Sequence, residues 1–230
     1  MIRVWRGSEP TILARKKAAW TEALLKANTR DQEGRAESKY KHRAIKEALV
    51  NMFHGKCAYC ESKIVHIDYG HIEHFRPKSL AQFRRLTFDW NNLFLACAKC
   101  NGPEHKASRF PEQNAGGPPI NPCEESPEEH LTFLFDLKSR VATVSYRTER
   151  GRISIDLFGL NRQDLRTHRS KMIEKLLVLS RMAVVDQDAA ALIVQSQADE
   201  EEYAAFSREL VRHLSGPIAA PRNQEAGVAR

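Results

Sequence analysis

Apolar positions recur at helical spacing in two N-terminal stretches. Over 10–27, Leu13, Trp20, Leu24 and Ala27 share a stripe from which Arg15, Lys16 and Lys17 are largely excluded, and Pro10 suits a first turn. Over 37–53, Tyr40, Ala44, Ile45, Ala48, Leu49, Met52 and Phe53 form a cleaner stripe that stops at Gly55. The polar residues 28–38, with Gly34 among them, read as a loop. Two short strands are expected within 63–75, joined near Asp68-Tyr69-Gly70, with His74 at the end of the second or just past it. A loop over 77–87 follows, and a helix is expected to begin near Cys100 or Asn101, with Pro103 tolerable only in its first turn. Alternation returns in Leu131-Phe133-Phe135, Val141-Thr143-Ser145 and Ile153-Ile155-Leu157, which read as a small antiparallel sheet. Asn161 with Asp164 resembles a helix start, after which Leu165, His168, Met172, Ile173, Leu176 and Leu177 give an apolar stripe. A last helix over about 198–214 groups Tyr203, Phe206, Leu210 and Leu214, and the small polar tail over 215–230 is expected to be disordered.

The chemistry is concentrated in the middle of the chain. Cys57-x-x-Cys60 and Cys97-x-x-Cys100 are two tight knuckles, each able to offer two thiolates to one tetrahedral zinc. Two disulfides or four reduced core cysteines are the competing readings, but no secretory signal is visible and paired knuckles are improbable as packing, so a structural zinc is expected at Cys57, Cys60, Cys97 and Cys100. Cys123 is left over and reads as a packed thiol. Between and just beyond the knuckles lie Glu73, His74, Asn92, Asn101 and His105, whose carboxylate, amide and imidazole groups suit a harder divalent ion than a thiolate site does. His66, Asp68 and His71 are nearby but fit no pattern.

At these residues the chain resembles the HNH endonuclease family, through Cys57-x-x-Cys60, Ile72-Glu73-His74-Phe75-Arg76-Pro77, Asn92-Leu93, Cys97-x-x-Cys100-Asn101 and His105-Lys106. The resemblance implies a ββα-metal core with His74 as general base, Glu73 and Asn101 as ligands of a catalytic ion, and Asn92 holding the loop around His74. His105 would be a third ligand, although Gly102-Pro103-Glu104 intervenes where relatives have a lysine soon after the ligand. The catalytic ion would be Mg²⁺ or Mn²⁺, distinct from the closed zinc site. Arg76, Lys78, Lys106 and Arg109 are candidates for neutralising phosphates of the nucleic acid. Wording outside the core, notably Asn121-Pro122-Cys123-Glu124-Glu125 and Gly159-Leu160-Asn161-Arg162, is similar to the PtuB-like HNH subunits of Septu and retron antiphage systems. That likeness implies an ABC/SMC-like ATPase (PtuA-like) partner.

Charge sharpens this picture. The net charge is +7, distributed as +7 over 1–56, +3 over 57–111 and −3 over 112–230, so the basic half is the one that carries the nuclease motif. A mean hydropathy of −0.52 and no apolar run of spanning length argue against a membrane segment, and the absence of an apolar leader argues for the cytoplasm. The expected architecture is α+β: an N-terminal helical segment (1–56), a zinc-stabilised ββα-metal HNH core (57–111), a Gly/Pro-rich linker (112–122) and a C-terminal support or docking module of a small antiparallel sheet plus helices (123–214). The expected activity is metal-dependent phosphodiester hydrolysis with DNA favoured; RNA such as tRNA, or zinc-stabilised binding without catalysis, are the alternatives.

Overall fold

A computed structural model describes residues 1–215; the expectation of a disordered tail lies outside these residues, apart from Ser215. The N-terminal helix forms as expected, α1 running Thr11–Lys26 with Leu13 and Leu24 buried. The expected loop after it is largely helical instead: α2 occupies Arg30–Glu37, because Thr29 accepts a hydrogen bond from the Gln32 amide and Asp31 and Glu33 sit in the first turn. The second apolar stripe is broken at His42, into a 3₁₀ turn at Ser38–Lys41 and α3 at Arg43–Met52. The break leaves Tyr40 on a separate short element from Ile45 and Leu49.

The two strands expected within 63–75 are not both there. Residues 65–67 form a turn, Lys63 makes only an isolated bridge to Lys56, and β1 is His71–His74, paired antiparallel with β2 at Leu93–Ala96 in the register His71↔Ala96 to His74↔Leu93. The continuous apolar run Leu93-Phe94-Leu95-Ala96 makes β2 buried along its whole length, and α3 packs over it. The helix expected from Cys100 onward is also displaced. It is a single turn, α4 at Ala98–Asn101, which ends where the expected one was to begin, because Pro103 lacks the amide that a continuing turn needs.

The 112–122 segment is closely held at its end, with Ile120 and Asn121 buried and the Val4 amide donating to the Pro122 carbonyl at 2.8 Å. Beyond it, β3 (Leu131–Asp136) and β4 (Val141–Tyr146) form the expected hairpin, but Ala142 and Val144 face the core instead of Val141, Thr143 and Ser145. The expected third strand is a helix, α5 at Glu149–Phe158. Thr148 caps it on the Gly151 amide, and Gly151, Ser154, Ile155 and Phe158 are buried at helical spacing that overrides the alternation of Ile153, Ile155 and Leu157.

Helix α6 (Gln163–Met182) buries Leu165, Ile173, Leu176 and Leu177 as expected. It buries Arg169 in place of the exposed His168. Asn161 is no cap; its side-chain amide bonds both the amide and the carbonyl of Val144, tying the start of α6 to β4. An additional helix, α7 (Gln187–Gln195), precedes α8 (Ala204–Ser215), which starts later than expected. No helix among the described residues is long and apolar enough to cross a membrane.

The Thr148 cap decides helix over strand at α5, and its hydroxyl also meets His130 Nδ1 at 2.8 Å. Thr148→Ala is expected to cost about 1–2 kcal/mol. A urea-unfolding midpoint no lower than wild type would contradict this.

Candidate active site and metal centre

The knuckles are shaped before any ion is considered. The first is a reversed hairpin: the Cys57 amide donates to Ser62 O at 2.9 Å, and Glu61 takes a positive φ to close it. The Ala58 amide donates to Leu95 O at 2.8 Å, so this knuckle is fastened to the edge of β2. The second is the β2–α4 junction, where the Cys100 amide donates to Cys97 Sγ at 3.4 Å. The four sulfurs lie within 4.8 Å of one another, all buried, and Cys60 Sγ is 3.9 Å from Cys97 Sγ. Tetrahedral zinc with bonds of about 2.3 Å requires sulfur separations of about 3.8 Å. The donor set and its spacing therefore fit a closed, structural zinc.

The second set is arranged at the end of β1. His74 is 5% exposed, and its Nε2 lies 3.0 Å from the Thr87 carbonyl. A carbonyl can only accept, so Nε2 carries the proton of the neutral ring and Nδ1 keeps a free lone pair. Burial lowers the imidazole pKa to about 3, and the nearby cations Lys78 and Lys106 act in the same direction. Tyr40 meets the ring edge-to-face, with centroids 4.7 Å apart.

Asn92 is buried at the root of β2. Its Oδ1 accepts from the Arg76 amide at 2.7 Å, and its Nδ2 donates to Arg76 O at 3.0 Å and Leu86 O at 3.2 Å. Those bonds close the base of the 75–92 loop, the same loop that delivers the Thr87 carbonyl to His74.

Glu73 is buried beside Lys106, whose ammonium is 2.5 Å from Glu73 Oε1 and 2.9 Å from the His74 carbonyl. Burial raises the Glu73 carboxyl and lowers the Lys106 ammonium, each opposed by the charge of the other. Apart from the Lys106 ammonium, Glu73 Oε1 has no partner among the described residues, and that contact is an ion pair without an aligned hydrogen bond. A carboxylate oxygen of this kind is what a hard divalent ion takes. Asn101 ends α4, half-buried, one residue after the last cysteine.

Other residues sit further out. The His105 ring lies against Gly159, where an added Cβ would come within 1.8 Å of Nε2. Among the described residues the four cysteines are the only group of three or more His, Cys, Asp or Glu side chains able to share an ion; His66, Asp68 and His71 are exposed. Of the four candidate phosphate contacts, Arg109 is exposed and Arg76 half-buried. Lys78 pairs with Glu37 and lies 5.5 Å from the Tyr40 ring centre. Lys106 is corrected: it is fully buried, committed to Glu73 and the His74 carbonyl, and presents nothing to a phosphate at the surface.

Tyr40 and Glu37 belong to this neighbourhood without any sequence signal for it, since Tyr40 reads as one more residue of an apolar stripe. Only the break at His42 turns it toward His74.

Comparison with known proteins agrees with this geometry. Residues 57–107 match the model of the HNH endonuclease family. The chain is 33% identical to the Septu protein PtuB of Bacillus mycoides (strain KBAB4), over 95% of this chain and 81% of that one. It is 27% identical to an HNH endonuclease candidate of retron Vc95 from Vibrio cholerae serotype O1 biovar El Tor, over 59% and 66%. A 24% match to the Septu protein PtuA of the same Bacillus mycoides strain covers 51% of this chain and 19% of PtuA. With the knuckles, the β1–β2 pair and the held histidine all inside the matched region, the chain belongs to the PtuB family of HNH endonucleases.

Proposed function

We propose that the protein hydrolyses phosphodiester bonds of nucleic acid, DNA foremost, as the nuclease subunit of a Septu-type antiphage complex. The observation that carries this reading is the buried, neutral His74, with Nε2 bound to the Thr87 carbonyl and Nδ1 free, immediately beside the buried carboxylate of Glu73. His74 Nδ1 takes the proton from the attacking water. Glu73 and Asn101, with His105 as third candidate, would hold Mg²⁺ or Mn²⁺. When bound, such an ion supplies positive charge to the scissile phosphate and the leaving oxygen. Asn92 keeps the 75–92 loop closed, and so keeps the Thr87 carbonyl where it fixes the His74 tautomer. Lys106 balances Glu73 from inside, and Arg76, Lys78 and Arg109 meet flanking phosphates from outside.

The relatives supply the context. PtuB and PtuA carry the same Septu name in one bacterial strain, which supports a complex of this chain with a PtuA-like, ABC/SMC-like ATPase. The C-terminal module offers a face for it: Val178, Met182, Val184, Val185, Leu192 and Val194 are all exposed along α6, α7 and the turn between them. A cytoplasmic setting fits this reading, since a reducing pool would keep the four zinc-binding thiols from pairing as disulfides.

Zinc comes first among the tests: purified protein is expected to contain about one zinc per chain, and Cys97→Ser to lose cooperative unfolding. Well-folded protein devoid of zinc in elemental analysis would end that reading.

In a nicking assay with Mg²⁺ or Mn²⁺, on DNA and RNA side by side, His74→Ala is expected to lose roughly 10²–10⁴-fold in rate while retaining fold. Glu73→Ala and Asn101→Ala are expected to raise the metal requirement or remove activity, and an unchanged metal dependence in His105→Ala removes His105 from the ligand set. Normal cleavage by His74→Ala would refute the mechanism.

Co-expressed with the PtuA-like protein, wild type is expected to co-elute in size-exclusion chromatography. The pair Val185→Asp/Val194→Asp is expected to abolish co-elution without lowering thermal stability. Undisturbed co-elution would place the docking face elsewhere.

A further inference from the structure

The run Gly159-Leu160-Asn161-Arg162 has no part in the catalytic reading, yet every residue in it is engaged where α5 passes into α6. Gly159 has φ +59°, and its bare Cα is where the His105 ring rests. The Leu160 carbonyl accepts from Arg169 Nη1 at 2.7 Å. Asn161 bonds Val144 at 2.8 and 2.7 Å. Arg162 Nη1 donates to Gly159 O at 3.1 Å and to Cys100 Sγ at 3.5 Å. Arg169, two turns further along the same helix and 1% exposed, lies within electrostatic reach of Cys60 and Cys100.

A zinc ion with four thiolates carries a charge of about −2. Buried, that charge needs compensation from groups that are themselves positioned and cannot lose their own charge, which is the property of guanidinium. A hydrogen bond to a coordinating sulfur also holds that ligand in its orientation toward the metal. Among the described residues the cation in contact with a sulfur is Arg162, which immediately precedes α6.

We propose that Arg162 is a positioning residue of the zinc centre. Its guanidinium, held by the Gly159 carbonyl and donating to Cys100 Sγ, offsets the charge of the tetrathiolate, with Arg169 as a more distant second cation. Retention of zinc and docking of α5–α6 on the knuckles are then one coupled property. The C-terminal module completes the metal centre in addition to any surface it offers a partner. This rests on the reading of the four cysteines as a zinc site.

The test uses full-length protein and follows zinc transfer to excess chelator by the absorbance of 4-(2-pyridylazo)resorcinol. Arg162→Met, which keeps length and packing without charge, is expected to release zinc at least roughly tenfold faster than wild type, the scale of an outer-shell partner. Arg162→Lys is expected to recover most of the loss. Arg152→Ala, which removes an exposed arginine paired to Glu149 and Asp156 on α5, is the control and is expected to match wild type. Release from Arg162→Met at the wild-type rate overturns the proposal. So does equal acceleration in Met and Lys, which would mark a role in packing alone.

If Arg162→Met does not fold, Asn161→Ala carries the test. It keeps the guanidinium but frees the junction from β4, and faster zinc release is expected; an unchanged rate overturns the coupling. Wild-type protein without zinc would defeat the zinc reading itself, whereas zinc-loaded wild type with indifferent variants defeats only the role of Arg162.

Discussion

The structure depends on the meeting of four buried thiols that belong to two segments nearly forty residues apart. Each knuckle is a tight turn able to form locally, but the sulfurs come together only when the first is fastened to β2 and the second grows out of the end of that strand. Everything between them is thereby closed into a loop, and that loop holds β1, Glu73, His74 and Asn92. A metal in the cysteine site would cross-link the ends of this segment, so the candidate catalytic residues would depend on that metal without touching it.

Within the loop the order of dependence continues. Asn92 closes the 75–92 excursion at its base, the excursion presents the Thr87 carbonyl, and that carbonyl fixes which nitrogen of His74 is free. Burial then keeps the ring neutral. The same burial would make an isolated Glu73 costly, and Lys106 offsets it from within. This explains why a lysine next to the motif is interior when its neighbour Arg109 is exposed: the buried carboxylate requires a cation beside it.

The C-terminal module touches this arrangement from behind. Tyr59, within the first knuckle, stacks on Phe158 of α5 at 3.8 Å, and the next residues carry the contacts to His105 and Cys100. The module is therefore joined to the nuclease by aromatic stacking and by charge, while the exposed apolar residues of α6 and α7 lie on elements that continue beyond this junction.

The sequence by itself determined the cysteine knuckles, the Glu73-His74 pair, Asn92, α1, the β3–β4 hairpin and α6. In each, the signal is local: ligand spacing, a turn, or an apolar period long enough to be read in one direction. Tertiary structure decided the rest. The partner of β1 is β2, across an 18-residue excursion, and no pattern in 63–75 can announce a strand pairing at that distance. Ile153, Ile155 and Leu157 alternate like a strand, but Thr148 and the buried Gly151, Ser154 and Phe158 make them helical. Lys106 and Arg162 look like ordinary surface cations in a basic chain. They become parts of the two sites only because folding places a buried carboxylate beside one and a cluster of thiols beside the other, and a charge's role is set by what surrounds it.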